Sequence, residues 1–346
     1  MKIKDFINYE QPNNYIVSSE RYSNMYAVPV LTAGQSFILG YTDEKIGVYN
    51  KGECIIFDDF TTSVHYVDFP FKVKSSAMKI LTCNLNANLK YCYYLLLKLS
   101  SMPENHKRQW ISTTSEKNWC LPNVERQNQI VYKMDLLTKT IELYEKQINL
   151  LNDLIKARFI EMFGDILGDR TLPLVRLCEL ADIGSSKRIY ANEYAESGIP
   201  FYRSKEIREL GTGLKPSIEL FIKQERYDEI KEKYGIPKVG DILIAAIGAT
   251  IGYSWIVDTA SPFYYKDGNL IILSIKDNVN PIFLNHAIGI LIEDFKKKGV
   301  GGSAQLALTI EKLEKMMVVN PELELQNQFA DFVQQVDKSR FESTRV

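Results

Sequence analysis

Two patterns of apolar positions alternate along this chain. After Pro122, the residues Ile130, Met134, Leu137, Ile141, Tyr144, Ile148, Leu151 and Ile155 recur at alternating intervals of four and three, and Met162 lies one heptad past Ile155. This is the seam of a coiled-coil helix. Lys133, Asp135, Lys139, Glu142, Glu145, Lys146, Asn149 and Lys156 occupy positions between, and neither Gly nor Pro interrupts the run before Gly164. A helix from Ile130 to Met162 extends roughly 50 Å at about 1.5 Å per residue, too long to lie inside a small domain and therefore a spacer or an assembly surface. After Pro321 the same spacing of four, three and four returns at Leu325, Phe329, Phe332 and Val336, which predicts a second, shorter helix.

The other pattern is β-branched and aromatic. GECIIFDDFTTSVHYVDFPFKVKSSAMKIL from Gly52 and GDILIAAIGATIGYSWIVDTASPFYYKDGNLIILSI from Gly240 share an order of events. Each begins with Gly and an acid, enters a short apolar strand, turns through small polar residues, and returns to a strand before a lysine-bearing segment and a final apolar run. A Pro-marked strand precedes each, AVPVLTAG from Ala27 and GIPFYRSKEI from Gly198, and a helix follows each, KYCYYLLLKL from Lys90 and PIFLNHAIGILIEDFKKK from Pro281. The two long helices also open alike. PNVERQNQ from Pro122 and PELELQNQ from Pro321 agree at five of eight positions, with a constant offset of 199 residues (321 less 122). The expected architecture is a mixed α/β (α+β) unit, a long helix broken near GDILGDR at Gly164, a second such unit and a second helix.

Composition narrows the chemistry. With 45% hydrophobic and 11% aromatic residues over 346 positions the chain can bury two cores, and a net charge of −1 excludes an overall basic nucleic-acid binder. Nucleic-acid contact must then rest on local basic patches. The five cysteines are scattered without a CxxC pair and read as reduced, mostly packing thiols of a cytoplasmic protein. The N-terminal stretch lacks the apolar core of a signal peptide, and ILIAAIGATIGYSWIV from Ile242 fits a strand, turn and strand rather than a membrane span. No phosphate loop, HExxH pair or GxSxG turn is present. GATIG at Gly248 lacks the Lys of a phosphate cradle and reads as a tight connection; Asp58 and Asp59 read as a turn or cap rather than a metal pair. His65, His106 and His286 are far apart, although His65 lies in a polar turn where contact with a base is conceivable. Small clusters of cations with polar neighbours recur in both halves, and are placed on loops. From these, Thr62, Ser63, His65, Lys74, Lys107 and Arg108 in the first half, and Ser186, Lys187, Arg188, Arg203, Lys205, Lys297 and Lys298 in the second, are candidates for contact with phosphates and base edges.

Taken together these residues resemble the specificity subunits of type I restriction-modification systems. The resemblance covers essentially the whole chain. It is carried by the paired entrances PNVERQNQIV and PELELQNQFA, by the heptad helix running into NLLNDLIKARFIEMFGD, and by LPLVRLCELADI, GIPFYRSKEI and VGDILIAAIGATIG in the second half; LTAGQSFILGY with KGECIIFDDFTT looks like one variant of the family's first recognition domain. It implies target recognition domains over 1–121 and 166–319, alternating with helical spacers over 122–165 and 320–346 that pack as an antiparallel coiled coil. Ile130, Met134, Leu137, Ile141, Tyr144, Ile148, Leu151, Ile155, Phe329, Phe332 and Val336 would form that seam and its docking surface. The implied partners are double-stranded DNA with a bipartite target, two modification (methyltransferase) subunits and restriction subunits, with no membrane. The implied chemistry, adenine N6-methylation with S-adenosylmethionine and ATP-dependent cleavage with Mg2+, belongs to those subunits, so this chain is expected to hold no catalytic residue, metal or cofactor. The competing readings are a coiled-coil adaptor that binds only proteins, and an inactive specificity cassette. A single-chain enzyme would need a catalytic domain for which two reading units and two helices leave no room.

Overall fold

The structure is a computed structural model that describes residues 1–32, 36–84, 86–100, 108–168, 172–299 and 306–343. The chain divides into two units, Met1–Glu145 and Lys146–Val346.

The first unit contains β1 (Ile7–Glu10), β2 (Val28–Leu31), β3 (Ile38–Thr42), β4 (Cys54–Asp58), β5 (Val64–Val67), β6 (Lys72–Val73), β7 (Met78–Cys83), α1 (Leu89–Leu99) and the first stretch of α2 (Val124–Phe163). An antiparallel sheet runs in the order β1-β7-β4-β5. All five residues of β4 are buried, which is why CIIFD is continuously apolar up to its final acid. A smaller sheet runs β3-β2-β6, with β2 antiparallel to β3 and parallel to β6.

The second unit contains the rest of α2, then β8 (Leu174–Arg176), α3 (Leu177–Leu180), β9 (Ala181–Gly184), β10 (Tyr194–Ala195), β11 (Ile199–Tyr202), α4 (Ser204–Gly211), β12 (Phe221–Ile222) and α5 (Gln224–Tyr234). There follow β13 (Ile242–Ala245), β14 (Ser254–Ile256), β15 (Tyr264–Tyr265), β16 (Leu270–Ile275), α6 (Pro281–Gly299), α7 (Ile310–Glu314), β17 (Met317–Val319) and α8 (Leu323–Ser343). One of its two four-stranded sheets, β9-β16-β13-β14, repeats the strand order of the first unit's with β13 in the place of β4. The other, β10-β12-β11-β15, repeats the second pairing and adds β10 at its edge: β11 is antiparallel to β12 and parallel to β15. Even the proline marks correspond, Pro29 facing Tyr41 and Pro200 facing Phe221. The duplicated order of events in the sequence is therefore a duplicated topology. The GATIG connection is a turn, with Gly248 and Gly252 at φ of 72° and 89°. A Cβ at Gly252 would also lie 2.8 Å from Ile292 of α6, so the position is closed to larger residues.

The helix α2 has 40 residues, about 60 Å at ~1.5 Å each. It stops at Gly164, whose φ of 77° suits the left-handed position after a helix and whose N–H donates to Ile160 O at 2.8 Å. Within the second unit its last turns run antiparallel to α8. Asn152 accepts from Arg340 at 2.6 Å, the Arg158 guanidinium lies over the Phe332 ring, and Phe159 meets Phe329 with ring centroids 5.3 Å apart, so one helix descends as the other ascends. Ile155, Phe329, Val333 and Val336 are buried there, with Leu151, Met162 and Phe332 against them. Within the first unit Ile130 packs on the core around Phe6, Leu95 and Trp110. Between these ends the seam is open: Leu137 and Ile141 are each 57% exposed, Ile148 is 37% exposed, and Leu136, Leu143 and Leu150 are exposed beside them. Met134 and Tyr144 are half-buried. No helix among the described residues is long and apolar enough to cross a membrane.

Candidate nucleic-acid interface

In the second unit β11 and β15 run parallel, Phe201 beside Tyr264 and Tyr202 beside Tyr265. Where they end, the Lys266 N–H donates to Tyr202 O at 2.9 Å. Arg203 is the next residue after β11 and Lys266 the next after β15, so both leave the same end of the sheet. Other cations converge on it. Arg188 Nε donates to Asp267 at 2.8 Å, the Lys187 N–H donates to the Tyr264 phenolic oxygen at 2.7 Å, and the Lys187 ammonium lies 5.0 Å from the Tyr234 ring centroid. Arg203 and Lys205 share Glu219, at 2.7 and 2.6 Å. A cleft of about 560 Å³, lined by Ser185, Ser186, Lys187, Tyr234, Lys238 and Tyr264 among others, opens beside this edge. Ser186, Lys187, Arg188, Arg203 and Lys205 are thus one neighbourhood.

Three of those cations are already committed, Arg188 to Asp267 and both Arg203 and Lys205 to Glu219. Arg203 is the residue before α4, and Glu206 in the helix's first turn, a carboxylate only 1% exposed, accepts from both its N–H and its guanidinium. The Glu206 and Glu219 carboxylates hold the guanidinium well above its ordinary range, and Lys205 with Arg203 pulls the Glu219 carboxyl down to about 2. Arg203→Ala would strand a buried charge, so it would disturb packing as well as any phosphate contact.

The first unit offers a matching position. The Lys74 N–H donates to Leu31 O at 2.8 Å, the bond that Lys266 makes to Tyr202. The Lys74 ammonium pairs with Glu20. Sequence reasoning named Lys74 and missed Lys266; the signal was the lysine that follows the second strand in both KVKSS and YYKDG. Thr62 is buried at φ 58°, held by its N–H to Asp58 O and by the Ser100 hydroxyl donating to its carbonyl. Ser63 accepts through its carbonyl from the Asp58 N–H. His65, on β5, stacks on Phe37 with centroids 3.9 Å apart, and burial pushes its pKa down. These three side chains therefore belong to the turn and strand of the sheet, not to an open loop. Asp58 accepts from the Phe60 N–H at 3.0 Å as the turn's cap, while Asp59 pairs with Lys79, which separates the two carboxylates' roles. Arg108 is exposed, and Lys107 lies outside the described residues.

Loop placement fails for some of the cations. Lys205 sits in the first turn of α4, and Lys297 and Lys298 sit in the last turn of α6, where the helix dipole favours cations. Lys298 pairs with Asp294 at 2.6 Å. Lys297 lines a separate cleft of about 510 Å³ between α2 and α6, with Lys156, Glu293, Asp294 and His286. Burial pushes His286 down to about 4 from an ordinary 6.5, and the Arg340 charge adds to the shift. The folded state holds it neutral, so its contribution is present above pH 6.5 and lost as pH falls toward 4. We expect the second unit to lose up to about 3 kcal/mol over that window, and His286→Gln to flatten the dependence. Urea unfolding at stepped pH reads this directly; an unflattened profile in the variant would assign the loss to other groups. Among the described residues no group of three His, Cys, Asp or Glu side chains is arranged to hold a metal ion.

The second unit carries the comparison that decides the family: residues 172–345 match the type I restriction modification DNA specificity domain. The chain belongs to this family. Over 173 residues the chain is 44% identical to the EcoR124I/EcoR124II specificity subunit of a type I restriction enzyme of Escherichia coli, a match that covers 44% of this chain and 43% of that one. The chain thus spans less than half the length of that relative. The specificity-subunit fold extends over both units. The S subunit of the type I restriction-modification system of M. genitalium is similar with a TM-score of 0.60 at 15% identity, covering 100% of this chain and 90% of that chain. A chain of a type I restriction-modification system, from a structure concerned with complex assembly and conformational transition, is similar with a TM-score of 0.51 at 17% identity, covering 98% and 92%.

Proposed function

We propose that the chain is the DNA sequence-specificity subunit of a type I restriction-modification complex, reading a bipartite target with one half-site for each unit and catalysing no reaction itself. The observation that carries this reading is the duplicated edge. Each unit ends its parallel strand pair with a lysine, Lys74 or Lys266, tied by the same backbone bond, and each unit leads into a long helix. Duplex DNA presents phosphates on both sides of each groove, and two similar edges on one chain suit two similar half-sites. Residues 1–121 and 166–319 are then the recognition domains. Carboxylates such as Glu20, Glu219 and Asp267 hold the cations in place until phosphates replace them, which reconciles DNA contact with a net charge of −1. The exposed Leu136, Leu137, Ile141, Leu143 and Leu150 of α2 form the surface on which two modification subunits dock. Restriction subunits complete the complex in the cytoplasm, and S-adenosylmethionine, ATP and Mg2+ are bound by the partner subunits.

Co-expression with the neighbouring modification subunit, followed by single-molecule sequencing for N6-methyladenine, tests this. The expected result is a new bipartite methylated motif. An assembled complex that methylates no motif would overturn the reading in favour of a protein-only adaptor or an inactive cassette. With the motif in hand, Lys266→Ala should weaken one half-site and Lys74→Ala the other. Each should also reduce the slope of log affinity against log salt by about one. An unchanged slope in both variants would remove these lysines from the interface.

A further inference from the structure

The repeated helix entrance builds the same device twice. In the first unit the backbone N–H of Asn88, the residue before α1, donates to Gln127 Oε1 at 2.7 Å, and Gln127 Nε2 donates to Pro122 O at 2.8 Å and Asn86 O at 3.0 Å. The Asn88 side chain caps α1 by accepting from the Tyr91 N–H at 3.1 Å, and its Nδ2 donates to Asn128 Oδ1 at 2.9 Å. In the second unit the Asn280 N–H donates to Gln326 Oε1 at 2.9 Å, Gln326 Nε2 donates to Pro321 O at 2.8 Å, and Asn280 Nδ2 donates to Asn327 Oδ1 at 2.8 Å. Asn280 also accepts from the Ile282 N–H at 2.9 Å at the start of α6. Gln127 and Gln326 are 0% and 1% exposed.

A buried amide at a helix entrance is an odd choice if adhesion were the only need. An apolar side chain would adhere as well without carrying a donor and an acceptor that must both be satisfied. Hydrophobic contact is non-directional, whereas a hydrogen bond constrains angle as well as distance. Here every amide atom of Gln127 and Gln326 has a partner, and the partners are the backbone groups where the preceding helix and the long helix both begin. Each long helix is thereby pinned at its first turn to the first turn of the helix of its own unit.

We infer that Gln127 with Asn128, and Gln326 with Asn327, are positioning residues that fix the angle between each recognition domain and its long helix, and through that angle the gap between the two half-sites. This rests on the bipartite reading proposed above. The base-contacting edges lie elsewhere in each unit, so loosening a pin should leave the recognised letters alone and relax only the spacing.

The test uses the full chain co-expressed with its modification subunit, read by single-molecule sequencing for N6-methyladenine. The variants are Gln127→Leu, Gln326→Leu and the milder Asn128→Ala, which deletes one bond at an exposed side chain. The expected result is that the unaltered chain methylates one gap length. The Gln variants should keep both half-site sequences and methylate sites with the gap changed by one base pair about tenfold more often, with a smaller increase for Asn128→Ala. A single unchanged gap in the variants would overturn the positioning role while leaving the bipartite reading intact. No motif with the unaltered chain would overturn both. If a Gln variant fails to accumulate as folded protein, Asn128→Ala decides: a relaxed gap supports the inference and an unrelaxed one sinks it.

Discussion

Lys79→Met is expected to destabilise the first unit by about 3–5 kcal/mol. Lys79 and Asp59 are each fully buried, with Nζ 3.0 Å from Oδ2. The other carboxylate oxygen accepts the Trp110 N–H at 2.8 Å, and the Asp59 backbone bonds Ala77 O and the Gln109 N–H. One aspartate thus joins the exit of β4 to β7 and to the segment around Trp110. Without the ammonium its charge would sit uncompensated in the core, where both side chains are closed to solvent. Adding Asp59→Asn to Lys79→Met removes that charge and keeps an acceptor for Trp110, so the double variant should recover part of the loss. Trp110 packs edge-on against Phe57 with centroids 5.2 Å apart, and with Trp119 and Trp255 changed to Phe its fluorescence reports urea unfolding of the unit. A loss below about 1 kcal/mol in the single variant, or a double variant less stable than it, would show the pair to be dispensable.

The second large effect is a contrast between two positions of the same predicted seam. Phe329→Ala in α8 is expected to cost about 3–5 kcal/mol, because Phe329 is fully buried where its ring meets Phe159 and Phe163 of α2 and His286 of α6. Truncation there leaves a cavity that three elements would have to collapse into. Ile141→Asp in α2 is expected to change stability by no more than about 0.5 kcal/mol, since its side chain is already largely in water. On the proposed function it should instead abolish co-purification with the modification subunit. Thermal unfolding and a pull-down separate the two. A large stability loss at Ile141, or an undiminished complex, would mean that this stretch of α2 is not a docking surface.

Much of the fold was legible. The start of α2, its stop at Gly164, the strand, turn and strand around Gly248, the Pro-marked strands and the duplicated order all follow from local spacing, from glycine and from proline. The candidate interface was legible only in part. Lys74 and Arg188 were visible as cations, but nothing near them in sequence announced Glu20 or Asp267 as partners. Thr62 looked like a polar loop residue and is instead buried at a left-handed turn. Lys266 went unnoticed because its meaning lies in a backbone bond to Tyr202, 64 residues earlier (266 less 202), that only strand pairing creates.

The sequence by itself determined the kinds of elements and their repetition, because helix and strand periods are properties of a few consecutive residues and each local run carries its own period. The tertiary structure alone decided which apolar positions of α2 are covered, which carboxylate neutralises which cation, and that the twice-written Gln and Asn are a pin. Burial and charge pairing depend on groups brought together across the chain, as Arg188 is to Asp267 over 79 residues and Asn152 to Arg340 over 188. No local spacing encodes those distances; packing creates them.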